Sequence, residues 1–170
     1  MDPQNPYQSP QSPLIAPNGG EQELADRGIR LVAAIIDGVI LMVLLVPLMF
    51  IGGYMDAVMQ AAQTGQQPYG LQIAWGVGAL LLFFAVQYLP LSQNGQTWGK
   101  KVMKIKIVDQ DGNKPDLVTL MGKRYLFQNG IGLIPCLGGL ISLVDVLMIF
   151  RQDRRCLHDQ IAGTRVVVAR

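Results

Sequence analysis

Two stretches of the chain are apolar and uncharged for longer than the core of a small soluble domain needs, Gly38–Met55 and Leu71–Leu91. Each comes close to the roughly 20 residues that carry a helix across a bilayer. The pattern predicts helices over about 27–50 and 71–91, the first entered past Arg27 and Arg30 and bent at Pro47, whose ring removes a backbone donor. A loop is expected between them, over 52–70. A third apolar segment is interrupted. Residues 117–133 have helical periodicity with Lys123 and Arg124 on a polar side. Gly130, Gly132, Pro135, Gly138 and Gly139 then break the run before a cleaner helix over about 139–151, which contains Asp145. Between these segments a strand is expected over 102–108, where basic and apolar side chains alternate with period two over Lys104–Val108, and 164–169 has a strand-like pattern near the end. Residues 1–23, rich in Pro, Gln and Ser, cannot bury enough to fold and are expected to be a disordered tail. No basic segment leading into an apolar one opens the chain, so a cleavable signal is not expected and the first apolar helix would serve for targeting.

Composition agrees with the pattern. Half of the 170 residues are hydrophobic and 15% are charged, against roughly 25% charged in a typical soluble domain. A net charge of +2 is too small for a nucleic-acid binder. Cys136 and Cys156 stand apart without metal-type spacing, which argues against a disulfide framework or a metal cluster.

The placement of the cations matters more than their sum. Of the 14 basic residues, two lie at the foot of the first helix, seven between Lys100 and Arg124, and five from Arg151 onward. None lies between the two long helices, whose connection carries Asp56. By the positive-inside bias the N-terminus and residues 100–124 are cytoplasmic and 52–70 face outward. One full third crossing would strand five arginines outside. The two strands also need partners for their backbone groups, and pairing them with each other requires both on one side. Residues 117–150 are therefore expected to enter and return, either as two short helices hinged near Ile134–Gly139 or as a re-entrant loop.

Charged side chains within apolar helices are the candidate chemistry, since such groups are costly in a bilayer. Asp37 sits about two turns into the first helix and Asp145 lies in the last one. Arg30 and Asp37 are seven residues apart, so about 10 Å separates them along one helix and neither can satisfy the other directly. Ala33, Ala34 and Gly38 would let a neighbouring helix approach at that depth. If Asp37 and Asp145 converge, two like charges out of water would favour holding a proton or small cation. The competing possibility is an Arg–Asp network that fixes helix packing. His158-Asp159 hints at a hydrolytic metal site, but one histidine supplies too few ligands. Asp159 is expected to cap a short segment or to pair with Arg154 or Arg155. What completes the site begun by Arg30 and Asp37 is expected from the broken segment with Asp145, from Asp159 near Arg30, or from a second subunit. Nucleophile elbows and phosphate-cradling glycine loops are absent from the sequence, so no enzyme, catalytic residue, metal or cofactor is expected.

Three pieces taken in order resemble the RDD family of small bacterial membrane proteins, over residues 24–168. They are Ala25-x-Arg27-x-x-Arg30 leading to Asp37; Gly95-Gln-Thr-Trp-Gly-Lys100 with Ile105-Lys-Ile-Val-Asp109; and Leu157-His-Asp159 with Ala162-Gly-Thr164. The resemblance implies that the family arginine is Arg30 and its first aspartate Asp37, with Asp159 or Asp145 as the second. It also implies a bacterial inner-membrane location and a transport-type role, with cation/proton antiport proposed for some members and accessory roles for others.

The sequence thus predicts an α-helical polytopic membrane protein with both termini cytoplasmic. Two clear transmembrane helices, a broken third hydrophobic segment forming a hairpin or re-entrant loop, and a small cytoplasmic β-element make up one domain, 24–170. Arg30, Asp37, Asp145 and Asp159 form the candidate charge network, supported by Arg27 and His158. The expected partners are the bilayer, further copies of the chain and a small cation or proton; the alternative is a membrane scaffold that binds a partner through its cytoplasmic face.

Overall fold

The structure is a computed structural model that describes residues 22–131 and 137–169. Helix α1, Arg27–Ile51, starts on Asp26, whose carboxylate accepts from the Gly28 N–H at 2.8 Å. This satisfies one of the free donors at a helix start. With 25 residues it is about 38 Å long, enough to span a hydrocarbon core of about 30 Å. Helix α3, Tyr69–Asn94, is longer by one residue, and both are apolar enough to cross a membrane. Ile35, Val39, Met42 and Val43 on α1 and Ile73, Val77 and Leu81 on α3 are exposed. A bare apolar surface of that extent calls for lipid or another chain.

The connection expected to be a loop contains helix α2, Tyr54–Thr64. Its Met, Ala and Gln residues are good helix formers, and Gly53 and Gly65 close its ends at φ 70° and 72°. Gly52 is needed for close packing, because a Cβ there would lie 2.5 Å from the Trp75 indole of α3.

After α3 the chain makes a five-residue helix, α4, Trp98–Val102. Strand β1 then runs over Ile105–Val108, so the strand expected over 102–108 begins three residues later and matches the alternating part of that stretch. A left-handed turn at Lys104 (φ 53°) separates the two elements. β1 pairs antiparallel with β2, Arg165–Val168, with Ile105 opposite Val168. Residues 23–25 line the other edge of β2, through Val168 N–H to the Glu23 carbonyl at 2.9 Å and Ala25 N–H to the Val166 carbonyl at 3.0 Å. The expected tail, 1–23, lies outside the described residues except for Gln22 and Glu23, which are tied to this small sheet and to the turn at Gly112.

Residues 117–131 are helical, with a π-helical middle over Thr119–Leu126 and an α-helical end, α5, Phe127–Ile131. Helix α6, Leu137–Leu147, ends in a 3₁₀ turn, Met148–Phe150. It packs back against α5 and against a last short helix, α7, Leu157–Ile161. Much of the glycine- and proline-rich hinge falls outside the described residues, but its two arms return to the same place.

The core forms there. Ala25 and Ala33, Leu91, Ile105 and Ile107, Leu120 and Tyr125, and Val166 make one buried cluster. It binds the root of α1, the end of α3, the π-helical segment and the sheet into one hub, from which α1 and α3 project with little cover of their own.

Candidate functional site

Two polar centres sit where the helices enter this hub. The first is built around Asp159. Its Oδ2 accepts from the Cys156 N–H at 3.2 Å, which caps α7, and it lies 2.5 Å from an Arg30 guanidinium nitrogen. Its Oδ1 lies 2.5 Å from Arg124, which also donates to the Thr164 hydroxyl at 2.5 Å. Asp159 and Arg124 are almost fully shielded from solvent. Arg30 additionally donates to the Arg154 carbonyl, and the Arg155 guanidinium donates to the Asp159 and Thr164 carbonyls. The partners of the Asp159 carboxylate are thus Arg30 and Arg124, in place of the Arg154 or Arg155 side chains expected from proximity in sequence.

Asp145 on α6 joins the same centre through His158. Its carboxylate accepts from the His158 N–H at 2.9 Å and lies 2.7 Å from Nδ1. Nε2 of the ring is 3.3 Å from an Arg124 nitrogen. Arg124 can only donate, so this contact assigns the lone pair to Nε2 and the proton to Nδ1, facing Asp145. A neutral imidazole is therefore the form that fits. Counted over the buried groups, the charges of Arg30 and Arg124, which both face Asp159, offset those of Asp159 and of Asp145, which is held through His158.

The electrostatics follow this geometry. Burial alone would raise the Asp159 carboxyl, but the Arg124 and Arg30 guanidiniums hold it well below the usual carboxylate range. Burial lowers the His158 imidazole against the opposing pull of its Asp145 hydrogen bond. Burial also pushes the Cys156 thiol up to about 11. Ligating atoms of Cys156, His158 and Asp159 lie within 4.8 Å of one another. A cation does not suit them, because the carboxylate already faces two guanidiniums and Nε2 faces Arg124.

The second centre surrounds Asp37, half-buried on α1. Oδ1 accepts from the Gln87 amide at 2.9 Å and the Gly99 N–H at 2.8 Å, and Oδ2 from the Thr97 hydroxyl at 2.5 Å. The Gln87 carbonyl accepts in turn from the Trp98 N–H at 3.0 Å. Among the described residues, no Lys, Arg or His nitrogen lies within ion-pair distance of Asp37.

The turn Gly95–Lys100 builds this centre residue by residue. Gly95 closes α3 at φ 64°. The Gln96 amide donates to the Ile105 carbonyl and fixes the start of β1. Thr97 caps α4. Trp98 donates its indole N–H to the Val86 carbonyl at 2.9 Å, the group left without a helical donor because residue 90 is proline. Gly99 rests directly on α1, where a Cβ would come within 2.0 Å of the Ala33 carbonyl oxygen. Lys100 reaches the Tyr125 hydroxyl at 3.3 Å. Of the small residues expected to admit a neighbour, Ala33 does so, and the neighbour is α4.

Arg30, Asp145, His158 and Asp159 therefore meet in one cluster. Arg27 lies beside it, capping the end of the last apolar helix through the carbonyls of Ile149, Phe150 and Arg151. Asp37 belongs to the separate centre, and the convergence of Asp37 with Asp145 that the sequence suggested is replaced by different partners for each. Sequence reasoning passed over Gln87, Thr97 and Gly99, and placed Arg124 on a polar side although it is buried. The available signal for the first of these was a glutamine following the long apolar run 73–86 of α3.

A chain with two bilayer-length apolar helices rooted in a charged hub defines a small membrane-type helical class. The model of the RDD family matches residues 24–163, and the chain belongs to that family. The Bacillus subtilis (strain 168) protein YckC, described as uncharacterized, is 32% identical over 147 residues, covering 83% of this chain and 82% of YckC. YxaI of the same organism, also described as uncharacterized, is 28% identical over 152 residues, covering 82% of this chain and 93% of YxaI. No solved structure matches the chain.

Proposed function

We propose that this is an integral membrane protein of the bacterial inner membrane in which Asp37 takes up and releases a proton or small cation. α1 and α3 cross the bilayer, residues 117–150 enter and return, and both termini and the sheet are cytoplasmic. The bare apolar flanks of α1 and α3 support the crossings. The pairing of β1 with β2 supports the return, because the two strands that flank the broken segment must lie on one side.

One observation carries the assignment of Asp37. Among the described residues, Asp159 faces two guanidiniums and Asp145 is linked to Arg124 through the His158 ring, whereas Asp37 is held by three uncharged donors with no cationic group within ion-pair distance. It lies ten residues past Arg27, about 15 Å along the axis, at the level where α1 leaves the hub and its flanks become bare and apolar. A carboxylate at that depth without a counter-charge is a functional candidate by default. The Thr97 hydroxyl and the Gln87 carbonyl oxygen supply neighbouring oxygens of the kind that hard cations prefer. So few helices enclose a pathway poorly, which favours an oligomer.

A second reading has its own support. Gly99 packs so tightly on Ala33 that the Asp37 bonds also clamp α4 to α1, which suits a scaffold with a fixed cytoplasmic face. Proton and cation flux into proteoliposomes separates the two. Flux in the wild-type protein that disappears in a folded Asp37→Asn variant supports exchange; flux unchanged by that substitution, or none in the wild type, favours the scaffold.

A further inference from the structure

We infer that the outward face of α4, with the turn that follows it, is a binding site for an anionic phospholipid headgroup. The inference rests on the membrane part of the reading above and not on the role of Asp37. Trp98 and Val102 are four residues apart and so share one face of the short helix; they are 37% and 64% exposed. Lys101, on the same side, holds its ammonium 5.3 Å from the Trp98 ring centroid. Lys104, exposed like Lys101, is tied back into the same turn by its N–H to the Lys101 carbonyl at 3.2 Å. The opposite face is fully occupied, since Gly99 is seated on α1.

The position of this face selects its partner. The Trp98 indole is bonded to the Val86 carbonyl of α3, in a stretch whose Leu89 is exposed. Gly99 sits against Ala33, beside the exposed Leu31, Val32 and Ile35 of α1. The face is therefore continuous with the apolar flanks of both long helices at their hub end. An amphipathic indole at such a level favours the interface of a bilayer. Lysines directly above apolar surface extend their stems along it and place their charge among phosphates. A zwitterionic headgroup would leave the two ammonium groups without net compensation, and an anionic one supplies it.

The test uses full-length protein with Trp75→Phe, so that Trp98 is the only indole, in bilayers containing phosphatidylcholine or phosphatidylglycerol brominated high in the acyl chain. Quenching of Trp98 should show a preference of about 25-fold for the anionic lipid, about fivefold from each of the two lysines. Lys101→Gln and Lys104→Gln should each lower that preference about fivefold, while the charge-matched pair Lys106→Gln and Lys123→Gln leaves it in place. Added inorganic phosphate should not compete. Equal quenching by the two lipids, an equal loss in the control pair, or displacement by phosphate would overturn the site while leaving the membrane assignment standing. Failure of the protein to incorporate into bilayers would overturn both.

Discussion

Replacing Asp159 with asparagine should be among the most damaging single changes in the chain. The substitution is nearly isosteric, so it tests charge and not volume. Asp159 is fully buried and faces Arg30 and Arg124, each at 2.5 Å, with Arg124 itself shielded from solvent. Asparagine would turn one end of the side chain from acceptor to donor and face it toward guanidinium groups that also only donate. The cluster would move from balanced to one excess positive charge. Removing one partner of a buried ion pair costs about 3–5 kcal/mol. In a chain of this size about 1 kcal/mol shifts the midpoint by roughly 2–4 °C, so the melting temperature should fall by roughly 6–20 °C. Thermal unfolding in detergent, followed by circular dichroism, gives the number. Combining Asp159→Asn with Arg124→Met restores the balance of charge, and the double variant should lose at least about 1 kcal/mol less than the sum of the single ones. A fall of less than about 1 kcal/mol for Asp159→Asn, or strict additivity in the double variant, would refute the claim that this cluster holds the hub together.

Other consequences can be checked with the same preparation. Gly99→Ala should destabilise by at least about 1–3 kcal/mol because its Cβ would meet backbone rather than a movable side chain, and a neutral outcome in the melting curve would contradict the close approach of α4 to α1. Trp98→Phe should cost about 1–3 kcal/mol by stranding the Val86 carbonyl, and changing Pro90 to Ala in the same protein should recover part of that loss. His158 is held below its ordinary value, so the unfolded chain takes up a proton that the folded chain refuses. Stability should therefore fall as the pH drops below about 6.5, with a further loss below about 3.8 as the unfolded form of Asp159 protonates; His158→Gln should flatten the first step only. With its thiol pushed up to about 11 and its side chain buried, Cys156 should alkylate slowly near neutral pH in the folded protein and readily after denaturation, as read by mass spectrometry of its peptide.

The long helices were legible because their signal is compositional: α1 and α3 are apolar and uncharged for most of their length. The sheet could be read from the alternation at Lys104–Val108 together with the need to pair its backbone. Local detail failed where two signals overlapped. Lys100–Lys106 mixes basic and apolar residues on both sides of the join between α4 and β1, and only the left-handed turn at Lys104, which the pattern does not reveal, divides them. Residues 52–70 were expected to be a loop, yet Gly53 and Gly65 within them are the caps of a helix, α2. In the site, the incompatibility of Arg30 with Asp37 followed from helix geometry alone. Of their partners, Asp159 near Arg30 was among the alternatives, whereas Arg124 and Gln87 were not, because they are brought into place by packing between elements distant in sequence. Arg124 in particular sits on a π-helical turn, whose register differs from the 3.6-residue period used to assign faces.

The proton or cation site at Asp37 is most directly tested by infrared difference spectroscopy of the protein in bilayers, stepping pH and then cation concentration, with aspartate isotope labelling. The account predicts a carboxyl band that responds to one of the two steps and is absent in Asp37→Asn, while the bands of Asp145 and Asp159 stay ionised and unchanged through the neutral range. An Asp37 band indifferent to both steps would contradict it and leave that carboxylate as the clamp between α1 and α4.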